Sequence, residues 1–91
     1  MNFSKWNESK IATLLYLFDD NYILECTSLG NSHGNLTFSA YAPWGCRKKV
    51  INYLRKQGFI RVSHCLADDS EYIKYEISNF GRFAIEQGQD L

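Results

Sequence analysis

Charge imbalance is missing from this sequence: ten basic residues stand against ten acidic ones. A chain that coats polyanions indiscriminately is usually basic overall, so the neutral balance argues against that class. Proline occurs once, at Pro43, and no Pro/Gly/Ser-rich tract interrupts the 91 residues. No linker is therefore expected, and residues 1–91 read as one small domain with one core. The three cysteines, Cys26, Cys46 and Cys65, form no CxxC pair and no Cys/His ligand spacing. No metal site is expected from them, and their odd number suits a reducing compartment. The longest apolar-rich stretch, Ile11 to Phe18, is far too short to span a bilayer, and the polar start MNFSKWNESK has no signal-like core. The expectation is a cytoplasmic protein with no membrane partner. Phosphate-binding loops, nucleophile elbows, dinucleotide turns and paired-histidine motifs are all absent, so no catalytic residue, no cofactor and no enzymatic activity are expected.

Hydrophobic side chains are present in quantity, at 45% of residues, with 15% aromatic. That is enough to fold and too much for a disordered tail. The neutral total also hides a segregation. Residues 47–61 hold six cations (Arg47, Lys48, Lys49, Arg55, Lys56, Arg61) and no acid. The acids gather elsewhere, at Asp19-Asp20, at Asp68-Asp69 with Glu71, and at Glu86 with Asp90.

Residues 4–18 predict a first helix, with Ser4 or Asn7 as its cap, because Ile11, Leu14, Leu15 and Phe18 recur at helical spacing. Asp19-Asp20-Asn21 ends it. Tyr22 to Leu29 fits either a strand or a short helix, and Gly30 to Asn35 reads as a loop. Leu36-Thr37 suggests a short extended piece, and Phe38 to Ala42 a short second helix ending before Pro43. Trp44-Gly45 supplies a turn, with Trp44 expected to plug the gap between helices. Residues 46–57 form an amphipathic helix with Cys46, Val50, Tyr53 and Leu54 inward and Lys48, Lys49, Asn52, Arg55 and Lys56 outward. Gly58 stops it. Phe59 to Ala67 and Tyr72 to Ile77 alternate around Asp68-Asp69-Ser70, the pattern of a hairpin with an acidic tip. Ser78 or Asn79 caps a last helix, 80–87, with Phe80, Phe83 and Ala84 inward.

Two stretches carry a resemblance. Leu36 to Ile60, LTFSAYAPWGCRKKVINYLRKQGFI, resembles the helix-turn-helix of bacterial winged-helix regulators and of phage or plasmid replication initiators, where a basic helix ends in leucine, three polar residues and Gly-Phe-Ile. Leu54 and Gly58-Phe59-Ile60 stand in those positions. Tyr75 to Ile85, YEISNFGRFAI, resembles the second wing strand and following helix of MarR- and PadR-type regulators, with Ile77-Ser78 and Gly81 matching a leucine-threonine, two-residue, glycine pattern. The two stretches cover about half the chain. The connection between the first two helices is longer than the family's, and the acidic tip departs from wings that grip phosphate.

The resemblance implies an α+β, mainly α, winged helix-turn-helix with three helices, a two-stranded wing and a short C-terminal helix. It also implies sequence-specific binding to double-stranded DNA, as a small transcriptional regulator of bacterial or mobile-element origin. The 46–57 helix would enter the major groove, Lys48, Lys49 and Asn52 reading or approaching bases and Arg47, Arg55 and Lys56 gripping phosphates. A homodimer through helix one and the C-terminal helix is expected to complete the site. The second expectation is a protein–protein module, such as a phage- or plasmid-encoded inhibitor or adaptor. The neutral charge, acidic tip and many aromatics suit it, and exposure of Tyr16, Tyr22, Tyr41 and Tyr72 would favour it.

Overall fold

The computed structural model describes residues 3–88. Three helices and four strands follow in the order α1 (Phe3–Phe18), β1 (Ile23–Cys26), β2 (Leu36–Phe38), α2 (Lys48–Lys56), β3 (Ile60–Ala67), β4 (Ser70–Ile77) and α3 (Asn79–Glu86). The strands make one antiparallel sheet in the order β2-β1-β4-β3. This corrects the winged helix-turn-helix expectation. The chain is α+β, but the sheet has four strands rather than a two-stranded wing, and two strands, not a second helix, lie between α1 and the basic helix.

The second helix fails for a local reason. Only five residues, Phe38 to Ala42, separate the extended piece from Pro43, too few to offset helix nucleation. Their backbone donors go elsewhere: Ser39 N–H to the Tyr22 carbonyl (3.1 Å) and Ala40 N–H to the Tyr16 hydroxyl (2.7 Å). Leu36-Thr37-Phe38 instead pairs with β1, Ile23 opposite Phe38 and Glu25 opposite Leu36. The ambiguous Tyr22–Leu29 segment resolves as β1 because the inner edge of β4 has backbone groups to satisfy, and Ile23 and Glu25 meet Tyr75 and Ile73 there.

The core lies between one sheet face and the helices. It contains Leu14 and Leu17 from α1, Val50, Ile51 and Leu54 from α2, and Ala84 from α3, set against Ile23, Ile60, Tyr75 and Ile77. Phe80 and Phe83 correct their expected inward placement. They are about half exposed, at 49% and 51%, and Phe80 stacks on Phe59 with ring centroids 5.3 Å apart. Trp44 is also a correction: with no second helix there is no gap to plug, and the ring is 57% exposed. The basic helix starts two residues later than expected, leaving Cys46 half-buried in the preceding turn. α1 begins at Phe3, ahead of both residues expected to cap it.

The two stretches that carried the resemblance lock to each other. The Ser78 hydroxyl donates to the Gly58 carbonyl (2.6 Å) and accepts from Gly81 N–H (3.0 Å), capping α3. Ser78 N–H bonds the Phe59 carbonyl at 3.0 Å. A β-carbon on Gly81 would collide with that same carbonyl and with Ile77, so only glycine lets α3 start so close to the β3 entrance. Gly58, at φ +82°, takes the left-handed turn that ends α2.

Candidate nucleic-acid interface

The exposed face of α2 is built by its period. Val50, Ile51 and Leu54 are buried, which turns Lys48, Lys49, Asn52, Arg55 and Lys56 to solvent. Lys48, Asn52 and Arg55 form the row nearer the sheet. Lys49, Tyr53 and Lys56 form the row nearer α1, whose Lys10 ammonium lies 4.4 Å from the Tyr53 ring centroid. Lys48, Lys49, Asn52, Tyr53 and Lys56 line one shallow, open depression on this face. Arg47 is the N-cap residue, extended at φ −138° and ψ 163°, with no side-chain capping bond.

The charge arrangement at the two ends of α2 differs in kind. Arg55 and Lys56 in the last turn complement the helix dipole. Arg47, Lys48 and Lys49 crowd the positive end against it, and no acid lies in the first turn. One carboxylate offsets them from outside the helix. Glu25, on β1, accepts from the Lys48 ammonium at 2.8 Å and from the Tyr75 hydroxyl at 2.6 Å. Burial by itself would raise the Glu25 carboxyl; the bonds from Lys48 and Tyr75 outweigh it and hold the group below its ordinary value. Tyr75 is displaced the other way, pushed far up by burial and by the adjacent Glu25 carboxylate.

All six residues expected at the interface therefore share one helix and its cap, but they are not equivalent. Lys48 is committed to Glu25. Arg47, Arg55 and Lys56 are exposed and make no ion pair among the described residues. Asn52 is exposed midway between the two rows. Of the remaining cations, Arg61 faces Glu76 at 3.5 Å and Arg82 bonds Asp20 at 2.8 Å. Among the described residues the unneutralised positive charge thus concentrates on α2. The acidic tip is confirmed in place: Asp68 and Asp69 form a two-residue turn with φ +50° and +65°, the sign pattern that a tight hairpin requires.

Sequence reading missed Glu25 and Tyr75. Their bonds cross 23 and 50 residues of chain, and no local pattern announces such a pair. Cys46, half-buried beside the Thr13 hydroxyl, has its thiol raised by burial, and the three thiols are unpaired. No group of three or more His, Cys, Asp or Glu among the described residues is placed to hold a metal ion. No described helix is long and apolar enough to cross a membrane. Comparison with protein-family models, curated proteins and solved structures found no match for this chain.

Proposed function

We propose that the chain binds double-stranded DNA through the exposed face of α2. The observation that carries this reading is the cluster of unneutralised cations, Arg47, Arg55 and Lys56, on a helix whose positive end is uncapped and crowded with like charge. Phosphate relieves both conditions, since backbone N–H groups and cations converge on the same anion. Nine helical residues span about 13 Å, a length that a major groove about 12 Å wide accepts. Arg47, Arg55 and Lys56 contact phosphates, while Asn52 offers paired donor and acceptor groups to an adenine edge. Lys48 is held back by Glu25, a division of labour that the sequence did not suggest. A regulator of transcription, acting in a reducing cytoplasm, is the role that this activity and the unpaired thiols suit best.

The protein–protein reading rests on open aromatics, and few are open. Tyr16 is tied to Ala40, Tyr22 lies under the Lys74 ammonium 4.6 Å from its ring centroid, and Tyr72 is half-buried. Tyr41, at 97% exposure, and Trp44 are open just ahead of α2, where they can equally stack beside a nucleic-acid backbone, and Phe80 and Phe83 are half-open on α3, with Phe80 stacked on Phe59. The test is fluorescence anisotropy against random duplexes at two salt concentrations. Salt-sensitive binding at micromolar protein, abolished in an Arg47/Arg55/Lys56 triple alanine variant, is the expected result. Absence of binding would remove the proposal and leave the protein-partner reading.

A further inference from the structure

The hairpin has an unused edge. Among the described residues β3 is an outer strand of the sheet, paired with β4 alone. Its backbone polarity can be worked out. Glu71, just past the turn, sends its N–H to the Ser28 hydroxyl (2.7 Å), and its carbonyl accepts from Thr27 N–H (2.8 Å), both on the β1 side. Ser70 therefore bonds Ala67 across the turn, and hydrogen-bonded and non-bonded pairs alternate from there. Arg61, Ser63, Cys65 and Ala67 spend their backbone groups on β4. Val62, His64 and Leu66 point theirs outward, into solvent.

Natural sheets usually blunt such an edge with lysine, proline, a bulge or brevity. Here the pairing runs unbroken from Ile60↔Ile77 to Ala67↔Ser70, over eight residues without proline or lysine. Arg61, the one charge on the strand, is drawn toward Glu76. On one face of the strand Leu66 is 75% exposed and Val62 39%, beyond the reach of the helices.

We propose that this edge pairs with the same strand of a second copy, antiparallel about a two-fold axis at His64, joining two four-stranded sheets into one. Directly opposed residues of an antiparallel pair share a face, and outward-pointing groups must meet outward-pointing groups. Centred on His64, Val62 meets the partner's Leu66, and Leu66 meets the partner's Val62, so each exposed apolar side chain covers the other. His64 meets its own counterpart on the axis, Ser63 meets the partner's Cys65, and Arg61 meets the partner's Ala67, so the two arginines do not oppose each other. The turn residue Asp68 then lies opposite the partner's Ile60, next to the partner's Arg61. The acidic tip, ill-suited to DNA, thereby gains a cationic neighbour. A two-residue slip one way sets Val62 against the partner's Asp68. A slip the other way spends Leu66 on the partner's Ile60, which is already buried at 4% exposure. Self-complementarity in one register selects a second copy over an unrelated strand.

One strand pair is small beside the roughly 1,200 Å² of a standard stable interface, so the dimer is reversible. Sedimentation equilibrium without DNA is the first measurement. The mass is expected to rise with concentration from 10.6 kDa toward twice that value. Leu66→Lys, at an exposed position, is expected to weaken the dimer at least tenfold with an unchanged circular dichroism spectrum. Ser63→Cys tests the register. It sets a new thiol opposite the partner's Cys65 at a non-bonded pair about 4.5 Å apart between Cα atoms, within disulfide range. Mild oxidation is expected to give a covalent dimer from Ser63→Cys and none from the wild type. A wild type monomeric up to millimolar concentration, a dimer indifferent to Leu66→Lys, or cross-linking of the wild type through Cys65 would each overturn the proposal. None of these readouts involves DNA, so they stand or fall apart from the α2 reading.

Discussion

The salt dependence of DNA binding is the most exacting consequence of the α2 geometry. If Arg47, Arg55 and Lys56 each neutralise one phosphate, log K against log salt has a slope of about −2.7. Between about 50 and 200 mM salt that slope means a loss of roughly 40-fold in affinity. Removing Arg55 is expected to flatten the slope to about −1.8, or roughly a 12-fold loss over the same range. The structure adds a second arm, because Lys48 is tied to Glu25 at 2.8 Å. Lys48→Ala is expected to leave the slope near its original value, whereas Glu25→Gln releases the ammonium and steepens the slope by about 0.9. Anisotropy titrations of a labelled duplex at four or more salt concentrations measure all four proteins. A Lys48→Ala slope that falls as far as that of Arg55→Ala would refute the division of labour. A wild-type slope shallower than about −1 would refute the phosphate contacts altogether.

Other perturbations reach the site and its support. Asn52→Ala is expected to leave affinity for random duplex nearly unchanged while erasing about 1–3 kcal/mol of discrimination at one base pair, read by competition between preferred and substituted duplexes. Gly81→Ala forces a methyl group into the Phe59 carbonyl and Ile77, and is expected to lower stability by about 1–3 kcal/mol in urea denaturation. A change below about 0.5 kcal/mol would show that α3 can shift freely away from the β3 entrance. Glu25 is held below its ordinary value of 4.5, so the folded chain binds that proton less readily than the unfolded one. The stability it contributes is present above about pH 4.5 and is lost as pH falls through the lower folded value. Glu25→Gln is expected to flatten the acid limb of stability against pH, measured by urea midpoints between about pH 5 and 3.

Much of the architecture is written in local patterns. The α2 period, the Gly58 stop, the β3–β4 hairpin and the Ser78 cap each depend on residues within a turn or two of one another. The cationic face of α2 was legible for the same reason, because the helical period alone separates Val50, Ile51 and Leu54 from Lys49, Asn52 and Lys56. The α1 helix forms as its spacing predicts, but its buried face is corrected: Leu14 and Leu17 enter the core, while Ile11 and Leu15 of the expected stripe are 43% and 44% exposed. Within residues 22–44 the loop at 30–35 and the extended Leu36-Thr37 were legible, but the strand at Ile23–Cys26 and the loss of the second helix were not. The periodicity there is weak, and what these residues form depends on what β4 and Tyr16 demand of them. Once β4 requires a partner on its inner edge, Ile23–Cys26 becomes a strand, Leu36–Phe38 follows as its neighbour, and the short second helix loses its donors.

The sequence by itself determined that one basic helix, stopped at Gly58 and followed by an acid-tipped hairpin, concentrates this chain's positive charge. Tertiary structure alone decided which of those charges are available. Glu25 reaches Lys48 and Tyr75 only because β1 lies beside β4, and that pairing withdraws one cation while leaving Arg47, Arg55 and Lys56 unpaired. It also decided that β3 is an outer strand, since sheet order is a property of long-range backbone pairing that no local pattern encodes.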